Sequence, residues 1–267
     1  MLLKIEKEGY NVKKYLSLKG YSRREITRIA KTIKINDEKA YLTSTLKIND
    51  TLSFNLQGKD EGKNLEKIEI KYQNNDLIIV NKPAGIVAHC DRIHEQDNLT
   101  TKLEKQINHK VYPILRLDKN VSGLMLFALN KQTAAYLNKL RQENKLNKTY
   151  LAIIEGKLEK EEGIIEIRSK KKQKKYIVAE EGKKCLTEYK FIKGNNNYSL
   201  YKVHILTGRS HQIRLSFAYL NHPLLGDVLY GSKTKINRIA LHASSIIFDD
   251  IEITEELPQQ LKELINE

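Results

Sequence analysis

Hydrophobic and polar residues alternate in two different ways along the chain, and the change falls near residue 67. Before it, apolar residues first recur at helical spacing in two short segments. They then alternate with polar residues around an Asn-Asp turn in KINDEKAYLTSTLKINDTLSFNL, residues 34–56, which favours a small hairpin sheet. Residues 58–66, GKDEGKNLE, are polar and contain two glycines, so we interpret them as a linker.

The two N-terminal helices carry start and stop signals. Gly20 suits the C-terminal end of the first helix, and Ser22 with Glu25 forms a capping box for the second. The second helix is apolar on one face. Its opposite face carries cations with no acid among them: Arg24, Arg28 and Lys31. A solvated helix back has the same pattern, but three aligned cations favour contact with phosphate.

From residue 67 onward the pattern predicts buried strands and longer helices. Four apolar runs have the length of strands: 76–82, 124–129, 149–156 and 198–206. Two segments have helical periodicity, 131–144 and 210–221, and Ser210 is a suitable N-cap for the second. We therefore expect a small N-terminal module followed by a larger domain that contains a buried sheet.

The net charge of the 267 residues is +14, and a surface of this sign favours a polyanionic partner. One run, RSKKKQKKY, places six cations between Arg168 and Lys175. Such a run is more often a solvated loop than a binding element, although it can also touch RNA backbone.

The chain has no apolar stretch of the roughly 18 residues that span a bilayer, and its N-terminus has no signal-peptide pattern. Cys90 and Cys185 lie far apart, which favours reduced thiols in a cytoplasmic protein.

Three stretches carry candidate chemistry: RLDKNVSGLMLFA (116–128), NKTYLAIIEG (147–156) and LTGRSHQIRLSF (206–217). In the first, Asp118 lies between Arg116 and Lys119 at the mouth of an apolar run, so it is either an ion-pair partner or a reagent. Adjacent Ser210 and His211 do not form a nucleophile elbow. The histidines lack metal-ligand spacing and no P-loop or GxGxxG occurs, so neither a metal nor a cofactor is indicated.

In this order the three stretches resemble the signature of the RluA-type pseudouridine synthases. The resemblance extends to NKPAGIVAH (81–89) and GDVLYG (226–231), and covers about residues 70–250. The N-terminal pattern, ending in KINDTLSF, resembles the S4 RNA-binding domain. The resemblance implies an α+β fold, with an S4-like domain at 1–57, a linker at 58–66, and a catalytic domain at 67–267 built on a mixed, largely antiparallel sheet.

The resemblance also implies the reaction, in which uridine in RNA is isomerised to pseudouridine. It assigns Asp118 as the catalytic carboxylate, Arg214 as the cation that keeps it ionised, and Tyr150 as the ring that packs on uracil. Arg116 is implied to enter the RNA stack when the base is flipped out. Further candidates for the site and for RNA contact are Lys148, Arg209 and His211. Whether Asp118 attacks C1′ or removes the C2′ proton stays open.

Large-subunit ribosomal RNA is the expected substrate, and transfer RNA is the alternative. A catalytically idle ribosome-assembly factor on the same scaffold is a second alternative. An RNA glycosylase is a third, but it would need a second acid to activate water, and the motifs show no partner acid. Three positions depart from the family pattern: Leu115 and Ser216 stand in place of histidine, and Cys90 stands where proline is common. We expect a cytoplasmic monomer that needs no cofactor.

Overall fold

The computed structural model describes residues 2–6, 8–21, 26–27, 29–30, 32–54, 67–89, 98–173 and 175–266. These residues form two compact units, one within residues 2–54, called unit 1, and one from residue 67 onward, called unit 2. Within these described ranges, no helix is long and apolar enough to cross a membrane.

Unit 1 combines a helix with a small antiparallel sheet. Its elements are α1 (Val12–Leu18), β1 (Leu2–Lys4), β2 (Lys34–Ile35), β3 (Glu38–Lys39) and β4 (Thr51–Ser53). The strand order is β1-β4-β2-β3. Gly20, with φ +90°, follows the C-cap of α1, so the predicted stop is confirmed. Asn36 and Asp37 both have positive φ and form the predicted two-residue hairpin turn between β2 and β3.

The second predicted helix of unit 1 is described only in part. Ile26, Ile29 and Ile33 are buried in the core of the unit, as expected for its apolar face. The capping-box residues Ser22 and Glu25 lie outside the described residues, and so does the linker at 58–66. The three cations of the opposite face also lie outside them: Arg24, Arg28 and Lys31. The identification of unit 1 as an S4-like domain stays a prediction.

Unit 2 is built on one extended sheet. Its strands are β5 (Glu69–Gln73), β6 (Leu77–Lys82), β7 (Tyr112–Pro113), β8 (Ser122–Ala128), β9 (Asn147–Glu155), β10 (Glu162–Lys172), β11 (Lys175–Val178), β12 (Lys183–Gly194), β13 (Tyr198–Ile205), β14 (Leu241–Phe248) and β15 (Ile251–Thr254). The strand order is β11-β10-β12-β13-β9-β14-β8-β6-β5, with β15 paired to β14 and β7 to β8. Among the pairings between these strands, as far as the structure describes them, only β8–β14 is parallel. The predicted mixed, largely antiparallel α+β fold is confirmed.

The helices of unit 2 cover the sheet and bury its central strands. They are α2 (Leu99–Ile107), α3 (Lys131–Gln142), α4 (Gln212–Tyr219) and α5 (Gln259–Asn266). Every residue of β8 is buried: Leu124 and Leu126 pack on one side with α3, while Met125 and Phe127 pack on the other side with α2. A strand buried on both faces reads as a continuous apolar run, which is why the four apolar runs predicted strands.

Two local predictions were wrong. Helix α4 has His211 as its N-cap, with φ +57° and no side-chain hydrogen bond, whereas Ser210 was expected to cap it. The lysine-rich run at 168–175 is a hairpin of β10 and β11 and not a loop. Ile165 and Ile167 before the run and Ser169 within it are buried and alternate with exposed charged residues, whereas the lysines at 170–172 are all exposed. The period-two pattern therefore overrides the charge of the run.

The start of β8 is held very close to β14. Gly123 has φ +114° and lies opposite Ala243, and a Cβ atom on this glycine would collide with the backbone of Ala243. The turn at residues 118–121 precedes this contact directly, so the position of Asp118 is tied to the centre of the sheet.

Candidate active site

Asp118 and Arg214 form an ion pair where the turn before β8 meets the first half of α4. Arg214 Nη1 donates to Asp118 Oδ2 over 2.7 Å. The arginine side chain is 7% exposed and the aspartate side chain 31% exposed. A ligand can therefore reach the carboxylate while the guanidinium behind it stays enclosed.

A second carboxylate, Asp227, holds the other edge of the same guanidinium. Arg214 Nε donates to Asp227 Oδ2 over 2.6 Å, and Nη2 donates to Oδ1 over 2.8 Å. Asp227 is 1% exposed. Burial by itself would lower the pKa of Arg214, but the hydrogen bonds and charges of Asp227 and Asp118 raise it above its usual value. Arg214 is therefore a permanent cation shared by two anions.

Asp227 corrects the expectation that no acid accompanies Asp118. Asp227 belongs to the GDVLYG stretch, which was matched to the family pattern, but the match assigned no role to this residue. Both of its oxygens are occupied by the bidentate contact with Arg214. It is therefore a structural partner of the arginine, and it is badly placed to activate a water molecule.

Tyr230 and His211 complete the surroundings of the ion pair. The guanidinium of Arg214 lies over the ring of Tyr230, with its carbon 5.0 Å from the ring centre. His211 Nδ1 is 3.0 Å from Tyr230 Oη, and its Nε2 is 3.8 Å from Asp118 Oδ2. Burial lowers the pKa of His211, while the charge of Asp118 acts in the opposite direction.

Tyr150, on β9, faces the same place as Asp118. A cavity of about 70 Å³ is lined by both side chains, together with His211, Gln212 and Arg116. Tyr150 is 7% exposed. Burial and the nearby charge of Asp118 raise the pKa of Tyr150, so its phenol keeps its proton through the neutral range.

A larger cavity of about 470 Å³ shares Asp118 and Tyr150 with the first and extends outward. It is lined by four cations: Arg116, Arg141, Lys148 and Arg209. Asp118 is the one acid among its described lining residues. Arg116 and Arg209 are exposed, whereas burial, with the charge of Arg141, lowers the pKa of Lys148 to about 8. The structure thus brings six of the predicted site residues of unit 2 around these two cavities, and Arg214 directly behind them.

Sequence reasoning missed Lys82, which braces the turn that carries Asp118. Its side chain is fully buried, and its Nζ donates to the carbonyl oxygens of Pro83, Ile86 and Lys119 over 2.9, 2.9 and 3.2 Å. Gly85 N also donates to the Lys119 carbonyl. Burial lowers the pKa of Lys82 to about 7, against the charge of Asp118, which raises it. The NKPAG stretch, which contains Lys82, was matched to the family pattern, but no role was assigned to this lysine.

Two of the three departures from the family pattern, Leu115 and Ser216, are accommodated by packing, and Cys90 lies outside the described residues. Leu115 is 5% exposed and belongs to the core beside α3. Ser216 is buried, and its hydroxyl lies 2.9 Å from that of Thr187. Neither residue touches the carboxylate of Asp118. In the part of the chain that the structure describes, no three His, Cys, Asp or Glu side chains are grouped so that they could hold a metal ion.

Comparisons with known proteins agree in the kind of relative they find. A family model described as RNA pseudouridylate synthase matches residues 76–219. An uncharacterized RNA pseudouridine synthase of Haemophilus influenzae is 39% identical over 188 residues, covering 68% of this chain and 83% of the relative. Ribosomal large subunit pseudouridine synthase C of Buchnera aphidicola is 33% identical and covers 86% of this chain and 82% of its own length.

A tRNA pseudouridine synthase C of Haemophilus ducreyi is 32% identical and covers 75% of this chain and 96% of its own length. Among solved structures, human RNA pseudouridylate synthase domain containing 1 matches with a TM-score of 0.64 and 24% identity. That match covers 77% of this chain and 89% of the human chain.

Proposed function

Since this chain belongs to the RluA-type RNA pseudouridylate synthase family and is an RNA pseudouridine synthase, we propose that Asp118 is its catalytic carboxylate and large-subunit ribosomal RNA its substrate. The observation that carries the catalytic assignment is the placement of Asp118. It is an accessible carboxylate paired with an enclosed arginine, at the wall of a cavity that Tyr150 also lines.

The arrangement fits the chemistry of uridine isomerisation. The N1–C1′ bond breaks, uracil turns, and a C5–C1′ bond forms. Bond breaking places positive character on C1′, which an anionic carboxylate stabilises. Arg214 favours the ionised form of Asp118, since a cation within ion-pair distance favours a charged carboxylate. No second acid is needed because uracil returns to the sugar and water does not attack.

Tyr150 and Arg116 have complementary tasks in this proposal. A base must leave the RNA stack before its glycosidic bond can be reached. The protonated ring of Tyr150 forms an apolar wall for the flipped uracil. Arg116 is exposed at the rim of both cavities, where its side chain can take the place of the base in the stack.

The cations around the site supply the contacts with RNA backbone. Lys148 and Arg209 line the larger cavity with Arg116. The hairpin of β10 and β11 adds exposed lysines, and it touches the site because the Tyr176 amide donates to Tyr230 Oη over 3.0 Å. Arg24, Arg28 and Lys31 are proposed to contribute further phosphate contacts from the S4-like module at 1–57.

The choice of ribosomal RNA rests on the alignment of one ribosomal relative, that of Buchnera aphidicola. Unit 2 makes up about three quarters of the chain. The tRNA pseudouridine synthase aligns with 75% of the chain, using nearly its whole length. The ribosomal relative aligns with 86%, so its similarity extends into the N-terminal module. We infer a ribosomal substrate and a cytoplasmic location, with transfer RNA as the competing substrate.

The Asp118→Asn variant tests the catalytic assignment. The amide keeps the shape of the side chain and removes the anion, so tritium release from RNA labelled at uracil C5 should fall by about 1,000-fold or more. Affinity for the same RNA should stay within about threefold, because the phosphate contacts remain. Asp250→Asn, which changes an exposed acid outside both cavities, is the control. Turnover of Asp118→Asn within about tenfold of wild type would refute the role of Asp118.

The same assay separates the two substrates. Transcripts of large-subunit ribosomal RNA fragments and of transfer RNA are compared under equal salt, since salt alters both affinities. We expect kcat/KM to be at least about tenfold higher on ribosomal fragments, which corresponds to about 1.4 kcal/mol of discrimination. The reverse order would show that the chain is a transfer RNA enzyme.

A further inference from the structure

His211 occupies an unusual position between the ion pair and Tyr230. It is the N-cap of α4 in a left-handed backbone conformation, with φ +57°, which turns its side chain into the site and leaves the helix without a side-chain cap. Its Nδ1 lies 3.0 Å from Tyr230 Oη, and the ring lines the cavity of about 70 Å³ with Asp118 and Tyr150.

The contacts of Tyr230 favour one tautomer of His211. Tyr230 Oη accepts a hydrogen bond from the Tyr176 amide over 3.0 Å. Within the described ranges, His211 Nδ1 is the one remaining partner of this hydroxyl. We assign the phenol proton to this contact, so that Nδ1 accepts it and the proton of the neutral imidazole lies on Nε2.

The Nε2–H group is left available. Its distance of 3.8 Å from Asp118 Oδ2 exceeds hydrogen-bond length, and it has no other hydrogen-bond partner in the described part of the chain. Two neighbouring side chains, Gln212 and Arg214, are already engaged. Gln212 donates to the Leu186 carbonyl and to Thr187, and its oxygen accepts from Thr207 and from the amide of Arg209. All three nitrogens of Arg214 are paired.

We propose that His211 is a further catalytic residue, which donates a hydrogen bond from Nε2 to a carbonyl oxygen of the detached uracil. When the N1–C1′ bond breaks, its electron pair leaves with uracil and the negative charge spreads over the carbonyl oxygens. The pair later returns to the sugar through C5; the C5 hydrogen then leaves as a proton to solvent, N1 takes up a proton, and His211 keeps its own proton throughout. A preorganised donor aimed at a developing anion is an effective form of stabilisation in an enclosed site. The inference rests on the proposed role of Asp118.

Two amide substitutions test the position of the donor. The amide nitrogen of glutamine can reach the place of Nε2, whereas that of asparagine reaches only the place of Nδ1. Asparagine also tolerates the left-handed backbone, so this variant should fold. We expect His211→Asn to lower the single-turnover rate at saturating RNA by about 100-fold, the usual effect of losing one such donor. His211→Gln should regain at least about tenfold of that loss.

Tyr230→Phe provides an independent arm, because it removes only the hydroxyl that fixes the tautomer. We expect a smaller fall in the same rate, with RNA affinity unchanged. Equal rates for His211→Gln and His211→Asn would overturn the proposal. A loss confined to affinity, with a shallower salt dependence, would also overturn it, because it would identify His211 as a phosphate contact.

Asp118→Asn, assayed in parallel, separates the two claims. An inactive Asp118→Asn beside a fully active His211→Asn would refute only the role of His211. An active Asp118→Asn would refute the proposed function itself.

Discussion

At the scale of single residues, the feature that organises the site is one guanidinium held by two carboxylates. Asp227 fixes Nε and Nη2 of Arg214, so Nη1 is presented to Asp118 in one orientation. Lysine has no such planar fork and could not hold both acids in this way. Because Arg214 is shared by two carboxylates, its positive charge neutralises Asp118 only in part.

Removal of Arg214 should reveal its dependence on Asp227. Arg214→Met leaves a buried aspartate unpaired, which should cost about 3–5 kcal/mol in the free energy of unfolding. Addition of Asp227→Asn removes that buried charge, so the double variant should be more stable than the single one. Urea unfolding measures both. Arg209→Met, an exposed cation of the same motif, should change stability by less than about 0.5 kcal/mol. A double variant no more stable than Arg214→Met would contradict this pairing.

The sequence identified Asp118 and Arg214 through their motifs, but it could not provide the contacts that position them. Asp227 reaches Arg214 through the fold, and Lys82 braces the carbonyl of Lys119 from a distant strand. In the sequence, Asp227 and Lys82 look like ordinary charged residues of a loop and of a strand end. Long-range polar contacts of this kind have no periodic signal in a sequence, because they depend on how the elements pack.

At the scale of elements, the parallel contact of β8 with β14 places the turn that carries Asp118. His242 pairs with Ser122 and Ala243 with Gly123, and the two backbones approach too closely for a side chain at position 123. Ile239 N also donates to the carbonyl of Asn120 in the turn. The turn is therefore held at Asn120 and directly after its last residue, which restricts the direction of the Asp118 carboxylate.

A pair of glycine substitutions tests this contact. Gly123→Ala adds a collision with the Ala243 backbone to the strain of a positive φ, so it should cost about 3 kcal/mol or more. Gly85→Ala has the same kind of strain, with φ +92°, but no atom within 4 Å of the added carbon. It should cost only about 1 kcal/mol. Thermal or urea unfolding compares them. Equal losses would mean that the close approach of β8 and β14 does not matter.

Element prediction succeeded where burial dominated and failed where another feature took precedence. The apolar runs at 76–82 and 124–129 are strands buried between helices, so composition alone identified them. The three lysines at 170–172 suggested a loop, but they belong to a hairpin whose preceding inward positions, 165, 167 and 169, alternate regularly. The start of α4 was misplaced by one residue because His211 adopts a left-handed conformation, which its residue type does not reveal.

At the scale of the whole molecule, one buried histidine makes stability depend on pH. His242 is fully buried; its Nδ1 lies 2.7 Å from Ser122 Oγ, and its Nε2 has no partner among the described residues. Burial, with the charges of Arg238 and Lys71, lowers the pKa of His242 to about 4. The unfolded chain binds the proton near pH 6.5, so folding is favoured fully above that pH and progressively less as pH falls toward about 4.

We expect this single group to remove about 2–3 kcal/mol of stability between about pH 7 and about pH 4.5. His242→Gln is neutral at both values, so its stability should fall less than that of wild type over the same range. Urea unfolding at the two pH values gives the difference. His109→Gln, at an exposed position, should retain the wild-type dependence. An unchanged pH dependence in His242→Gln would show that other groups account for the acid sensitivity.

The place of β14 in the sheet determines when the sheet can be completed during synthesis of the chain. This strand lies between β8 and β9, although the chain reaches it long after both of them. While a ribosome is still translating the residues before Leu241, β8 and β9 each lack a neighbour in the middle of the sheet. Each of them then has one edge without a paired strand. A nascent chain that already contains Asp118, Tyr150 and Arg214 therefore still lacks the strand that joins β8 to β9, and the sheet behind these residues closes only after residues 241–248 have been made.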